Sequence, residues 1–384
     1  MSNAPPPPSK LGEYRVLSSR AGVHVSPLQL GAMSIGEKWA DKGMGSMDKA
    51  SSLKLLDTYF DLGGNFIDTA CGYQDETSEM FIGEWAEQRG IRDQLVIATK
   101  YSAPYKTTDS KINVKINYNG NSVKNLHVCV EASLKKLRTT YIDILYVHFW
   151  DYATSVEEVM DGLHHLVAQG KVLYLGISDA PAWVVVKANQ YARYNGKTPF
   201  VIYQGAWNVI SRDFERDIIP MARDEGEWMA LAPWNVLAQG RLRSDEEERK
   251  RQESGEGGRT FYVAGGKWTR SEVEIKASHA LEKVAKEVGT EYVSAVAIAY
   301  VMQKTPFVFP IIGGRKVEHL KANIEALNIA LSKEQISYLE SIVPFDPGFP
   351  HNMLGDGTDY NVYLRGVGNY VKQPVLQPII PSKN

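Results

Sequence analysis

Only two cysteines, Cys71 and Cys129, occur in 384 residues. A chain this long with so few is no disulfide scaffold, and a reducing, cytoplasmic home is expected. Neither sign of charge prevails: Lys+Arg 43 against Asp+Glu 45 leaves a net charge of −2. Without an overall basic field, nucleic acid is not expected as a partner. No apolar run reaches the ~18 residues that a membrane span needs, so no membrane partner is expected either. The N-terminus carries Pro5 to Pro8 in a row and no apolar stretch. Residues 1–13 therefore read as a flexible tail in polyproline II or disordered form, not as a secretory signal. No internal repeat is visible. No GxGxxG follows a strand-like run, so the usual dinucleotide fingerprint is missing.

What is present is ordinary globular material: 43% hydrophobic and 23% charged residues, enough for a sizeable core. Strand-like apolar runs recur at 28–32, 66–70, 95–100, 142–148, 172–178, 201–205, 229–234 and 308–313. Helix-like patterns follow at 49–62, 78–88, 122–138, 156–168, 182–194, 217–225, 293–303 and 317–327. Eight βα units predict a (β/α)8 TIM barrel over 14–344, with an open doubly wound sheet as the alternative. Residues 14–27 alternate weakly and predict a hairpin plugging the barrel bottom. Residues 241–271 are highly charged and predict a long loop acting as a lid, or disordered. Residues 345–384, rich in Pro, Gly and aromatics, predict a C-terminal arm packed on the barrel.

In such a barrel the active site lies at the carboxyl ends of the strands. Asp68, Lys100 and His148 fall at three successive strand ends, and Tyr73 follows Asp68 by one loop. A free tyrosine is a poor acid at neutral pH, but an adjacent ammonium stabilises its phenolate. Asp68 would hold Lys100 charged, Tyr73 would protonate an oxygen gaining negative charge, and His148 would donate to that oxygen. Taken singly, each residue is as well explained by packing, capping or solvation. Convergence of all four is apparatus for reducing a carbonyl. The hydride needs a carrier. Ile312-Gly313-Gly314-Arg315-Lys316, ahead of a helix, is a candidate phosphate site. Arg315 and Lys316 suit a 2′-phosphate, favouring NADPH over NADH.

Phe66-Ile67-Asp68-Thr69-Ala70-Cys71-Gly72-Tyr73 resembles the signature of the aldo-keto reductases, in which Asp, Tyr, Lys and His form a catalytic tetrad. Tyr141-Ile142-Asp143-Ile144-Leu145-Tyr146-Val147-His148, Gly176-Ile177-Ser178 and Asn323 extend the resemblance from residue 28 to about 327. Within the family the chain is most similar to fungal aryl-alcohol dehydrogenases and norsolorinic acid reductases, through Gly31-Ala32-Met33-Ser34, Tyr73-Gln74-Asp75-Glu76 and Pro233-Trp234-Asn235. The resemblance implies an NADP(H)-dependent interconversion of aromatic aldehydes or ketones and alcohols. Tyr73 would be the general acid, supported by Asp68, Lys100 and His148. It assigns Ser178, Asp179 and Gln204 to the nicotinamide carboxamide, with Asp179 in place of a more usual Asn. Pro233, Trp234 and Asn235 fall to the pyrophosphate, Arg315 and Lys316 to the 2′-phosphate, and Asn323 to the adenine, while His319 occupies a cofactor-site position often held by Arg or Gln. Gly31, Met33, Asp68, Arg241 and Gly313 complete the cofactor set. Gln74 replaces the usual Gly after the tetrad tyrosine, a departure that reshapes the pocket rim.

Around Tyr73 and His148, the aromatic residues Trp39, Tyr101, Phe149 and Trp150 fall on or near βα loops and would bind an aryl ring, Trp39 and Trp150 foremost. Cys71 reads as a buried structural thiol. Asp161, His164 and His165 lack a further ligand nearby, so a solvated helix face is expected there and no metal. The partner expected is a small aromatic aldehyde or alcohol, and the protein a monomer or homodimer. Two other readings stand: a cofactor-binding regulatory subunit of the potassium-channel β type with little turnover, and a Schiff-base lysine at Lys100.

Overall fold

Short β-branched and apolar runs bounded by polar turns form the inner wall of the molecule. The computed structural model describes residues 4–44, 47–225, 228–255, 259–260 and 269–382. An antiparallel hairpin comes first, β1 (Arg15–Ser18) with β2 (Ala21–Val25). Eight parallel strands follow: β3 (Gln29–Gly31), β4 (Phe66–Asp68), β5 (Val96–Tyr101), β6 (Ile142–Val147), β7 (Val172–Ser178), β8 (Phe200–Ala206), β9 (Ala230–Trp234) and β10 (Ile311–Ile312). Their order is β10-β3-β4-β5-β6-β7-β8-β9. The ring closes where Leu231 N donates to Phe307 O at 2.9 Å and Phe309 N to Leu231 O at 2.8 Å. The arrangement is the expected (β/α)8 barrel and not the open sheet.

Period-two alternation sorts each strand's side chains. Phe66, Val96, Ala98, Ile144, Tyr146, Ile202, Ala230 and Ala232 share the inner core. Ile67, Ile97, Leu145, Val147, Ile177 and Tyr203 face the helices instead. The hairpin's Leu17, Ala21 and Val25 belong to the inner core as well. They pack with Phe66 and Val96, which begin their strands, so the hairpin plugs the amino-terminal end of the barrel as expected.

The helices are α1 (Lys49–Asp61), α2 (Thr77–Arg89), α3 (Val123–Lys136), α4 (Val156–Ala168), α5 (Ala182–Tyr194), α6 (Ile218–Asp224), α7 (Asp245–Ser254), α8 (Glu272–Val288), α9 (Val293–Lys304), α10 (Val317–Ile324) and α11 (Lys333–Ile342), with two single turns, His351–Leu354 and Val362–Arg365, in the arm. Side chains of Asp48, Ser122 and Ser155 cap α1, α3 and α4 by accepting from backbone N–H groups. Four features differ from the sequence expectation. The charged stretch 241–271 is not one loop: it contains α7, begun by a reciprocal capping box between Ser244 and Glu247. Residues 256–258 and 261–268 of that stretch lie outside the described residues. Helices α8 and α11 were not anticipated. The helix at 317–327 stops at Ile324 and continues as a 3-10 turn, Glu325–Asn328. The N-terminal tail is docked in its second half, where Leu11 is fully buried and Ser9 Oγ donates to Leu62 O at 2.6 Å.

After α11 the arm begins against the barrel's outer layer. Phe345 lies under the guanidinium groups of Arg212 and Arg216, at 5.4 and 5.1 Å. Arg216 also donates to the carbonyls of Pro347 and Asp346. Further on, Val367 and Val371 are almost fully exposed. No described helix is long and apolar enough to cross a membrane.

Candidate active site

The inward phase of the strands decides which side chains reach the carboxyl-end mouth. Asp68 follows inward Phe66 by two, Lys100 follows Ala98, and Gln204 follows Ile202. Lys100 is wholly buried. Its Nζ donates to Asp68 Oδ1 at 2.7 Å, Asp68 Oδ2 at 2.8 Å and Thr69 O at 2.7 Å. It also reaches Tyr73 Oη at 3.4 Å, a long contact of the kind that tightens only when reactants bind. Burial pushes the Lys100 pKa down, and the Asp68 carboxylate opposes that shift. Gln204 Nε2 donates to Asp68 Oδ2 at 2.9 Å, so β8 braces the same carboxylate.

His148 stands across from the phenol, its ring meeting that of Tyr73 edge-on at 6.0 Å between centroids. Burial, with Lys100 adding to it, holds the His148 pKa down to about 3. The imidazole is therefore neutral at working pH and can donate from one nitrogen only. Lys100 already has three acceptors around its ammonium, which favours keeping the proton over forming a Schiff base.

A cavity of about 700 Å³ opens from these residues. That lies within the range of small-molecule sites, roughly 300–1,000 Å³. Asp68, Tyr73 and His148 line it together with Gly31, Met33, Asp179, Gln204, Trp234, Asn235, Gly313, Arg315, Lys316, His319 and Asn323. Arg243, Lys250, Arg251, Arg259, Arg315 and Lys316 outnumber the lining carboxylates Asp68, Asp179 and Glu247. That balance suits a ligand with several phosphates. Asn235 Oδ1 and Gln239 Oε1 are buried in the lining without a partner among the described residues, as acceptors for a ligand's hydroxyl or amide groups would be. The donor set thus fits a dinucleotide phosphate.

Some expected contacts fall elsewhere. Ser178 does not line the cavity itself; its hydroxyl donates to Asp179 Oδ2 at 3.0 Å and holds that carboxylate. Asp179 Oδ1 also accepts from Trp234 Nε1 at 3.3 Å. Burial pushes the Asp179 pKa up to about 6. Pro233 is not a lining residue, being phased outward between Ala232 and Trp234. Arg241 turns away, its Nε donating to Glu274 at 2.6 Å. Arg243 lines the cavity instead. The sequence offered only proximity to Pro233-Trp234-Asn235 as a signal for Arg243, Gln239 and Leu237. Helix α7 contributes Glu247, Lys250, Arg251 and Ser254, none of which periodicity could have marked.

Two expected substrate residues are corrected. Tyr101 is fully buried in the layer between strands and helices, one step out of phase with Lys100. Trp150 is 8% exposed and packs in that same layer. Trp39 does approach the phenol, its ring meeting Tyr73 edge-on at 6.3 Å, and Phe149 lies beside His148 at 6.4 Å. Cys71 and Cys129 are buried free thiols. Asp161 accepts from Tyr191 and pairs with Lys197, and His164 Nδ1 meets Thr198 Oγ1.

Residues 27–344 match the sequence pattern of the Aldo/keto reductase family. An aryl-alcohol dehydrogenase [NADP(+)] of Phanerodontia chrysosporium is 62% identical over 99% of this chain and 98% of its own length. An aldo-keto reductase of Emericella nidulans, ausK, is 54% identical over 92% of this chain and 87% of its own. A norsolorinic acid reductase of Aspergillus flavus is 52% identical over the same shares of the two chains.

Proposed function

The chain belongs to the aldo/keto reductase family, and from that premise we propose that it is an NADPH-dependent oxidoreductase interconverting aromatic aldehydes or ketones and their alcohols. One observation carries the reading: an ammonium clamped by a buried carboxylate stands 3.4 Å from a phenol that lines a cation-rich cavity. Arg315, Lys316 and His319 would hold the 2′-phosphate, Asn323 the adenine, Trp234 and Asn235 the pyrophosphate. Asp179, steadied by Ser178, and Gln204 would meet the carboxamide. NADPH, when bound, supplies the hydride.

The protein's own residues manage the proton and the developing charge. Tyr73 gives its proton to the carbonyl oxygen as that oxygen becomes an alkoxide. Lys100 stabilises the phenolate left behind, and Asp68 keeps Lys100 charged against the cost of burial. Neutral His148 donates a hydrogen bond to the same oxygen. Trp39 and Phe149 give an aryl ring apolar faces.

Tyr73→Phe removes the proton and keeps the ring. Reduction of an aromatic aldehyde should fall by at least about 100-fold, while NADPH binding followed by fluorescence stays near normal. Unchanged turnover would remove Tyr73 as the acid. The same assay separates a working enzyme from a regulatory subunit, which would bind NADPH and turn over little.

A further inference from the structure

The loop that leaves Tyr73 is built in a conformation that side chains ordinarily avoid. Gln74, Asp75 and Glu76 have φ of 54°, 50° and 80°, three left-handed residues in succession without a glycine. The first of these is the position where the family resemblance expects glycine. Something must hold such a backbone, and the side chains show what does.

Gln74 is completely buried. Its Oε1 accepts from Trp39 N at 2.9 Å, and its Nε2 donates to Met33 O at 2.9 Å. One partner is a donor and the other an acceptor, so only this orientation of the amide satisfies both. Asp75 Oδ1 accepts from the indole Nε1 of Trp39 at 2.7 Å and also meets Lys42 at 3.3 Å. Opposite, Gly36 has φ of 124°, and a Cβ there would lie 2.6 Å from Gln74 Cβ. Consecutive residues of the tyrosine's own loop thus grip Trp39 at its main chain and at its ring nitrogen. The indole consequently meets the Tyr73 ring at 71°, with 6.3 Å between centroids.

We propose that Gln74 and Asp75 are positioning residues that set selectivity for an aromatic carbonyl compound, by fixing the Trp39 indole as a wall beside the Tyr73 hydroxyl. The claim rests on reading Trp39 as part of the substrate space. It goes further by making the acid and that wall one rigid unit. An aryl ring brought to the Tyr73 hydroxyl finds the indole as a preformed flank. A short aliphatic aldehyde has little surface to offer it and gains nothing from the grip.

The test compares Asp75→Ala, Asp75→Asn, Trp39→Ala and the double variant Trp39→Ala/Asp75→Ala. Each is assayed with benzaldehyde and with butanal, alongside NADPH affinity and Tm. Asp75→Ala should raise KM for benzaldehyde about tenfold with little change in kcat, and leave butanal and NADPH unmoved. Asp75→Asn keeps a carbonyl acceptor for the indole and should stay within about threefold of the parent, because its lost contact with Lys42 is exposed and weak. The double variant should be no worse than Trp39→Ala alone, since both changes remove one interaction. If Trp39→Ala impairs benzaldehyde but Asp75→Ala does not, or if Asp75→Ala impairs both aldehydes equally, the positioning role is overturned. If Trp39→Ala leaves the preference untouched, the aryl wall itself is misplaced and the proposal goes with it.

Discussion

At the residue scale the site is a set of charges that burial would oppose if each stood alone. Lys100 is wholly enclosed, yet both oxygens of Asp68 and one backbone carbonyl meet its ammonium. Removing one partner of such a pair strands the other, which is why the pair and the phenol act as a unit. In the wall of the same cavity Arg315 supplies a planar fork suited to a phosphate. Arg315→Ala should weaken NADPH by about tenfold or more and leave NADH within about threefold. Parallel fluorescence titrations check this, and equal losses would put the 2′-phosphate elsewhere. Asp179 gives a prediction of another kind. Its ordinary pKa is 3.8, and the folded protein raises it to about 6. Below both values the carboxyl is protonated in folded and unfolded chains and contributes nothing. As pH rises through that window, the unfolded chain ionises freely while the folded one resists, so stability falls. Asp179→Asn should therefore melt higher than the parent at pH 8, with the difference fading toward pH 4. Scanning calorimetry of the cofactor-free protein reads it, and a pH-independent difference would contradict the assignment. The left-handed backbone at Asp179, φ of 44°, is one that asparagine also tolerates.

Elements place these residues through phase. Lys100 points into the barrel and Tyr101 away from it because successive side chains on a strand alternate. The sequence made the strand legible but not its phase at the mouth, so Tyr101 looked like a pocket residue. Trp150 misled for a related reason: a βα loop residue can fold back over the helices as readily as over the barrel mouth. Gly176 marks a close approach on β7, where an added Cβ would fall 2.5 Å from the Tyr146 ring. Gly176→Ala should cost about 1–3 kcal/mol, read as a lower midpoint in urea unfolding. An unchanged midpoint would mean that the Tyr146 ring has room to move. Helix α7 shows the opposite kind of illegibility. It buries no residue, so it has no apolar stripe to reveal it. Its start is set by the reciprocal capping box between Ser244 and Glu247.

The whole molecule separates stability from chemistry. The hairpin of β1 and β2 fills the end of the barrel where strands begin, and the cavity opens where they end. Leu17, fully buried in that plug, should be costly to truncate: Leu17→Ala is expected to lose about 2–5 kcal/mol. The kcat and NADPH affinity at 25 °C should nevertheless stay near the parent values, as measured on the folded fraction. A matching loss of activity would show that the two ends are coupled.

The sequence by itself determined the eight βα repeats, hence the barrel, and the four side chains that meet at its mouth. Those features are local: apolar periodicity fixes the elements, and the end of a strand fixes where a residue emerges. Only the tertiary structure decided that Arg243 and not Arg241 faces the cavity, that α7 supplies part of its wall, and that Trp39 is gripped by Gln74 and Asp75. Each depends on a contact between segments far apart in the chain or on the phase of a turn, and neither leaves a period in the sequence to read.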